Sequence, residues 1–116
     1  MKQSKYQPLG RWIRVDKRLA IYLRDRWTCG LCGKNLEGLP RRQITLDHII
    51  PKSRQGGNDP TNIYTCCIEC NASRQDKPLP ADKEQHIKKI TSRPLEPYLW
   101  KARKMLEDEK SRESES

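Results

Sequence analysis

Asp47 and His48 stand together near the end of the apolar run ITLDHII, and Asn71 directly follows a Cys-x-x-Cys pair in CIECN. An imidazole whose ordinary pKa is about 6.5 can take a proton from water at neutral pH. The side-chain oxygens of Asp47 and Asn71 are donors of the kind that a hard divalent cation, Mg²⁺ or Mn²⁺, prefers. A base and an oxygen-bound cation are what hydrolysis of a phosphodiester needs: an activated water, charge stabilisation on the phosphate and help for the departing oxygen. Standing alone at the end of an apolar strand, His48 would sooner read as a packed core histidine.

The thiols offer the opposite chemistry. Cys29-x-x-Cys32 and Cys67-x-x-Cys70 have the spacing of a four-cysteine zinc site, and soft thiolates select zinc over hard cations. The fifth thiol, Cys66, is an alternative to Cys67. Because x-x spacing from a helix start lets both sulfurs reach one metal, Cys67 is preferred and Cys66 is read as a small buried apolar residue. Structural zinc contributes roughly 10 to 16 kcal/mol in small modules, against roughly 5 to 15 kcal/mol for the stability of a whole domain. The fold is therefore expected to depend on the metal.

Several elements must position these groups. Asp16 is a candidate N-cap for a helix over Lys17–Trp27 with Leu19, Ala20, Leu23 and Trp27 on one face. TCGLCGKN reads as a tight metal knuckle. Alternation of Ile44, Leu46, His48 and Ile50 predicts a strand that Pro51 ends. The segment KSRQGGNDPT is loop by composition, a short second strand opens at Asn62–Tyr64, and Cys67–Lys77 reads as a helix halted before Pro78. Helices are expected over Pro80–Ile90 and Ser92–Lys110, the second with Leu95, Leu99, Ala102, Met105 and Leu106 in a stripe that packs back on the domain. His86 lies on a charged helix and reads as a surface residue. Strict alternation sends Asp47 and His48 to opposite faces, so the strand must end, twist or bulge where they stand.

Composition bounds the rest. Of 116 residues 34% are hydrophobic, Phe is absent and mean hydropathy is −1.01, so apolar burial alone is a thin basis for a core and a staple is needed. No charged leader followed by an apolar stretch opens the chain and nothing resembles a membrane span; a reducing cytoplasm is expected, where spaced Cys pairs read as metal ligands rather than disulfides. Net charge is +9, and because the last ten residues, EDEKSRESES, are net acidic, the rest is more basic still. Such a domain suits a polyanion, DNA or RNA, through phosphate contacts.

The stretch LDHIIPKSRQGGNDPTNIYTCCIECNASRQDK resembles the motif of the HNH endonuclease family in its zinc-stapled subgroup: an Asp-His pair, a Gly-rich loop, an Asn opening the second strand, then CxxCN with a basic residue after it. The likeness runs from Trp27 to Pro78. The third motif residue is most often His in that family and is Asn71 here, as in HNN variants. The resemblance implies an α+β fold of the ββα-metal kind and DNA cleavage. His48 matches the general base, Asp47 and Asn71 match the positions that bind the catalytic cation, and Asn62 matches the central Asn that holds the loop and helps fix the base. Arg74 stands where a Lys often follows CN, and with Lys77, Lys52 and Arg54 it is a candidate for phosphate contact. The implied layout is a basic arm over 1–15, a nuclease core with zinc knuckle over 16–78, a helical extension over 79–110 and a disordered tail over 111–116. The alternatives are a non-catalytic zinc module that binds nucleic acid, or a subunit of a larger phage or restriction machine; a homodimer would make paired cuts.

Overall fold

The computed structural model describes residues 13–75 and 77–115, with side chains up to Ser111. The expected arm over 1–15 thus lies almost wholly outside the described residues, Trp12 included. Helix α1 spans Val15–Arg24. Asp16 does not cap it: Arg14 holds that place without a side-chain bond, and Asp16 sits in the first turn, where a carboxylate suits the helix dipole. Burial raises the Asp16 pKa, but a hydrogen bond from Arg103, the Lys17 N–H and the charges of Arg14 and Arg103 outweigh it, for a net lowering. The helix stops at Arg24 instead of running to Trp27. Arg26 and Trp27 both take positive φ, 55° and 56°, and the N–H groups of Arg26 and Trp27 turn back onto the Leu23 and Tyr22 carbonyls at 3.0 and 2.8 Å, a closure that satisfies carbonyls the helix would otherwise leave open.

After the knuckle, β1 (Ile44–His48) pairs antiparallel with β2 (Ile63–Cys67), setting Asp47 opposite Tyr64 and His48 opposite Ile63. The strand expected to reach Ile50 ends two residues earlier because the side chain of Asn62 replaces a backbone partner there, accepting from the Ile50 N–H at 2.9 Å and donating to the Ile50 carbonyl at 3.1 Å. All of β2 is buried. Its outer edge is closed by a buried ion pair from the end of α1: Arg24 donates to the Ile63 carbonyl at 2.7 Å, and Asp25 accepts from the Thr65 N–H at 2.8 Å and Oγ1 at 2.9 Å. Two side chains thus serve as a third strand.

Helix α2 covers Ile68–Arg74, shorter than expected because Gln75 turns to φ 53°. Helix α3 (Ala81–Thr91) buries Ile87 against the sheet. Helix α4 (Glu96–Glu115) starts after Pro94, which disfavours helix at Arg93, and packs along α1, where Arg103 meets Asp16 at 3.0 Å. Along its stripe Ala102 is fully buried, Leu95, Leu99 and Leu106 are partly so, and Met105 is exposed. Backbone helix continues past Lys110 to Glu115 where a disordered tail was expected; Glu, Lys and Arg are good helix formers. The core joins Leu19, Ala20, Ile21, Tyr22, Leu36, Ile44, Leu46 and Ile63.

Candidate active site and metal centre

The knuckle folds because Gly33, at φ 79°, reverses the chain and the Cys29 N–H reaches the Lys34 carbonyl at 2.9 Å. Thr28 and Asn35 pair across its neck. The second Cys pair comes from the junction of β2 and α2, where Cys67 is the N-cap and its sulfur accepts from the Cys70 N–H; in the knuckle the Cys29 sulfur likewise accepts from the Cys32 N–H. The sulfurs of Cys29, Cys32, Cys67 and Cys70 all lie within 4.8 Å of one another. Those of Cys32 and Cys67 are 3.9 Å apart, close to the edge of about 3.8 Å that a tetrahedron with zinc–sulfur bonds of about 2.3 Å requires. The donor set fits a structural zinc ion. Cys66 is fully buried beside this cluster and not part of it. Its thiol donates to Cys29, and that bond, with backbone N–H groups of Cys32, Cys67 and Leu31, holds the Cys29 thiol well below its ordinary pKa against burial. Burial pushes the Cys67 and Cys70 thiols up.

The strand end carries the other set. Thr45 and Asp47 alternate onto the face that α2 covers: the Asn71 amide donates to Thr45 Oγ1 at 2.9 Å, and Arg74 pairs with Asp47 at 2.9 Å. Anchoring the Asn71 amide through nitrogen leaves its Oδ1 with no hydrogen bond among the described residues. Asp47 accepts from the His48 N–H at 2.8 Å on Oδ1, and from Tyr64 Oη at 3.0 Å and Arg74 Nη1 on Oδ2. A carboxylate has about four lone-pair sites, so Oδ1 retains one. Asn71 on α2 and Asp47 on β1 each keep an oxygen site without a hydrogen bond among the described residues. His48 stands at the strand end, half-buried, with Nε2 2.9 Å from Asn58 Oδ1. Asp47 and His48 are both paired within β1, opposite Tyr64 and Ile63, so alternation sends their side chains to opposite faces and the expected bulge or twist between them is not seen.

Asn62 ties the loop shut as well as ending the strand, since its Nδ2 also donates to the Gly57 carbonyl at 2.9 Å. The glycine beside it is there for space: a Cβ on Gly56 would come 1.7 Å from the Ile50 carbonyl oxygen.

Arg74 departs from its expected use. It is 7% exposed, and its guanidinium donates to Asp47, to the carbonyls of His48, Ile49 and Lys77, and to Tyr64 Oη at 3.4 Å. Five donors in a rigid fork make it a clamp between α2 and β1, turned inward rather than toward a phosphate. Burial works against its charge, but Tyr64 and the Asp47 carboxylate outweigh that and raise its pKa. Lys52 and Arg54, on a single 3-10 turn of the loop, and Lys77 after α2 are exposed. His86 is exposed on α3. Sequence reasoning missed Tyr64, whose pKa is raised by burial and by Asp47; pairing the two strands in register was the available signal. It also missed Asn58, for which the loop composition carried no signal.

Among the described residues no helix is long and apolar enough to cross a membrane. A family model described as HNH endonuclease matches residues 29–87, about half of the chain, spanning both Cys pairs, both strands and α2. No curated protein and no solved structure matches it. With two strands, the following helix and a four-cysteine cluster inside the matched region, this small α+β chain belongs to the HNH endonuclease family.

Proposed function

We propose that the chain is a metal-dependent DNA endonuclease in which His48 is the general base. His48 takes a proton from water, the water oxygen bonds to phosphorus, and the bond to the 3′ oxygen breaks; that oxygen takes up a proton from solvent, leaving 5′-phosphate and 3′-hydroxyl ends. Asp47 and Asn71 would hold Mg²⁺ or Mn²⁺, which when bound supplies positive charge to the phosphate and the departing oxygen. Asn62 keeps the loop closed, and Arg74 with Tyr64 keeps Asp47 in place. Exposed Lys52, Arg54 and Lys77 on a chain of net charge +9 favour the backbone of a duplex. Such contacts carry little sequence information. One site makes one cut, so a single chain nicks and paired sites linearise. Free thiols at all five cysteines suit a reducing cytoplasm.

The observation that carries this reading is the Asn71 oxygen, without a hydrogen bond among the described residues, on the β1 face that Thr45 and Asp47 share, at a strand end that also presents a half-buried imidazole. Supercoiled plasmid incubated with the zinc-loaded protein should become nicked circle when Mg²⁺ or Mn²⁺ is supplied and stay intact with a chelator too weak to strip the zinc. Retarded but uncut plasmid under every cation would assign the chain to non-catalytic nucleic-acid binding.

A further inference from the structure

Helix α4 lies beyond residue 87, where the family match ends. One side of it is taken by α1, with Ala102 fully buried. On the other side Lys101, Lys104, Glu107 and Asp108 are exposed, and Trp100 is 70% exposed, more than any other large hydrophobic side chain described. These five residues fall at helical spacings of three, four and seven, so they share one face. Lys104 Nζ lies over the Trp100 ring, 5.9 Å from its centroid. Charge along the helix is segregated. Between Pro97 and Leu106 the charged residues are Lys101, Arg103 and Lys104, whereas from Glu107 to Glu115 five acids stand against two bases. Cation before acid is the poorer order for pairing within a helix, and none of Lys101, Lys104, Glu107 and Asp108 forms an ion pair among the described residues.

We infer that this face of α4 is an interface with a second copy of the chain, the two helices running antiparallel. A twofold axis then sets Lys101 and Lys104 of each copy against Glu107 and Asp108 of the other, with the Trp100 rings buried between them. Parallel pairing would set like charge on like. A polyanion suits the face less well, because the acidic half of the helix shares it. A helix of 20 residues is about 30 Å long, so a contact of two helices falls at the small end of specific interfaces. The dimer is accordingly reversible, with Kd roughly in the micromolar range. Two nuclease cores on one dimer would make the paired cuts that linearise a duplex; that consequence rests on the proposed function, and the dimer itself does not.

The test is sedimentation equilibrium of the zinc-loaded full chain at low salt, from micromolar to near-millimolar protein. Wild type should pass from monomer to dimer, and added salt should weaken the dimer. Lys101→Glu with Lys104→Glu, and separately Glu107→Lys with Asp108→Lys, should each raise Kd more than about tenfold, since like charges then face each other. Mixed in equal amounts, the two double variants should associate, because only the mixed pair sets opposite signs together along the whole face. Trp100→Ala should also raise Kd more than about tenfold, as loss of a buried aromatic anchor does, with helical circular dichroism unchanged. Wild type that stays monomeric throughout, or double variants that do not associate when mixed, would overturn the inference. So would weaker plasmid binding by Trp100→Ala at an unchanged dimer constant, which would assign the face to nucleic acid. A dimer that leaves plasmid uncut under every cation would support the interface and remove the proposed function instead.

Discussion

At the scale of single residues, the site turns on which groups are already engaged. Asp47 is braced by Tyr64 and Arg74, and Arg74 is itself held by three carbonyls. Removing that guanidinium leaves a partly buried carboxylate unpaired and strips those carbonyls, and losses of this kind cost about 3 to 5 kcal/mol. Arg74→Ala should therefore lower the melting temperature sharply. Arg74→Lys should recover little of it, because one ammonium cannot span the same acceptors. A thermal melt of Arg74→Ala close to wild type would show that the clamp does not brace the strand end. The roles of Asp47, His48 and Asn71 could be proposed from residue type and spacing. The orientation of Arg74 could not: a basic residue three places after CN reads the same whether it faces a phosphate or the strand, and only packing of α2 on β1 decides.

At the scale of elements, the boundaries were set by side chains far away in sequence. The expected strand over Ile44–Ile50 ends at His48 because Asn62 caps it, and α1 ends before Trp27 because two residues adopt a left-handed backbone that no glycine announced. Alternation and helical spacing did reveal the two strands and four helices of the described residues. The buried pair Arg24–Asp25 was hidden, since neighbouring opposite charges on a helix ordinarily mean a solvated face; here they close the edge of β2. Asp25→Ala would leave Arg24 charged in the core and the Thr65 N–H without its acceptor. A loss of about 3 to 5 kcal/mol is expected, read as a shifted denaturant midpoint. An unchanged midpoint would mean that the edge is closed without them.

For the whole molecule, the thiolate cluster joins the knuckle to the junction of β2 and α2, so it holds the two halves of the site together. A strong chelator should unfold the chain cooperatively, seen as loss of helical circular dichroism. The thiols of Cys67 and Cys70 lie above their ordinary values, so they are protonated at neutral pH without metal and must give up protons when zinc binds. Zinc uptake in weak buffer should therefore acidify the solution, and affinity should rise with pH. Uptake with no proton release would contradict that assignment.

The central claim is that this zinc-held frame presents His48 as the base of a cutting site, and His48→Ala tests it most directly. The substitution is made at a half-buried strand end, and zinc content, melting temperature and plasmid binding should stay at wild-type levels. Nicking of supercoiled plasmid in Mg²⁺ or Mn²⁺ should fall by about 10² to 10⁴-fold, the usual worth of a general base. Undiminished nicking by the folded, zinc-loaded variant would contradict the account.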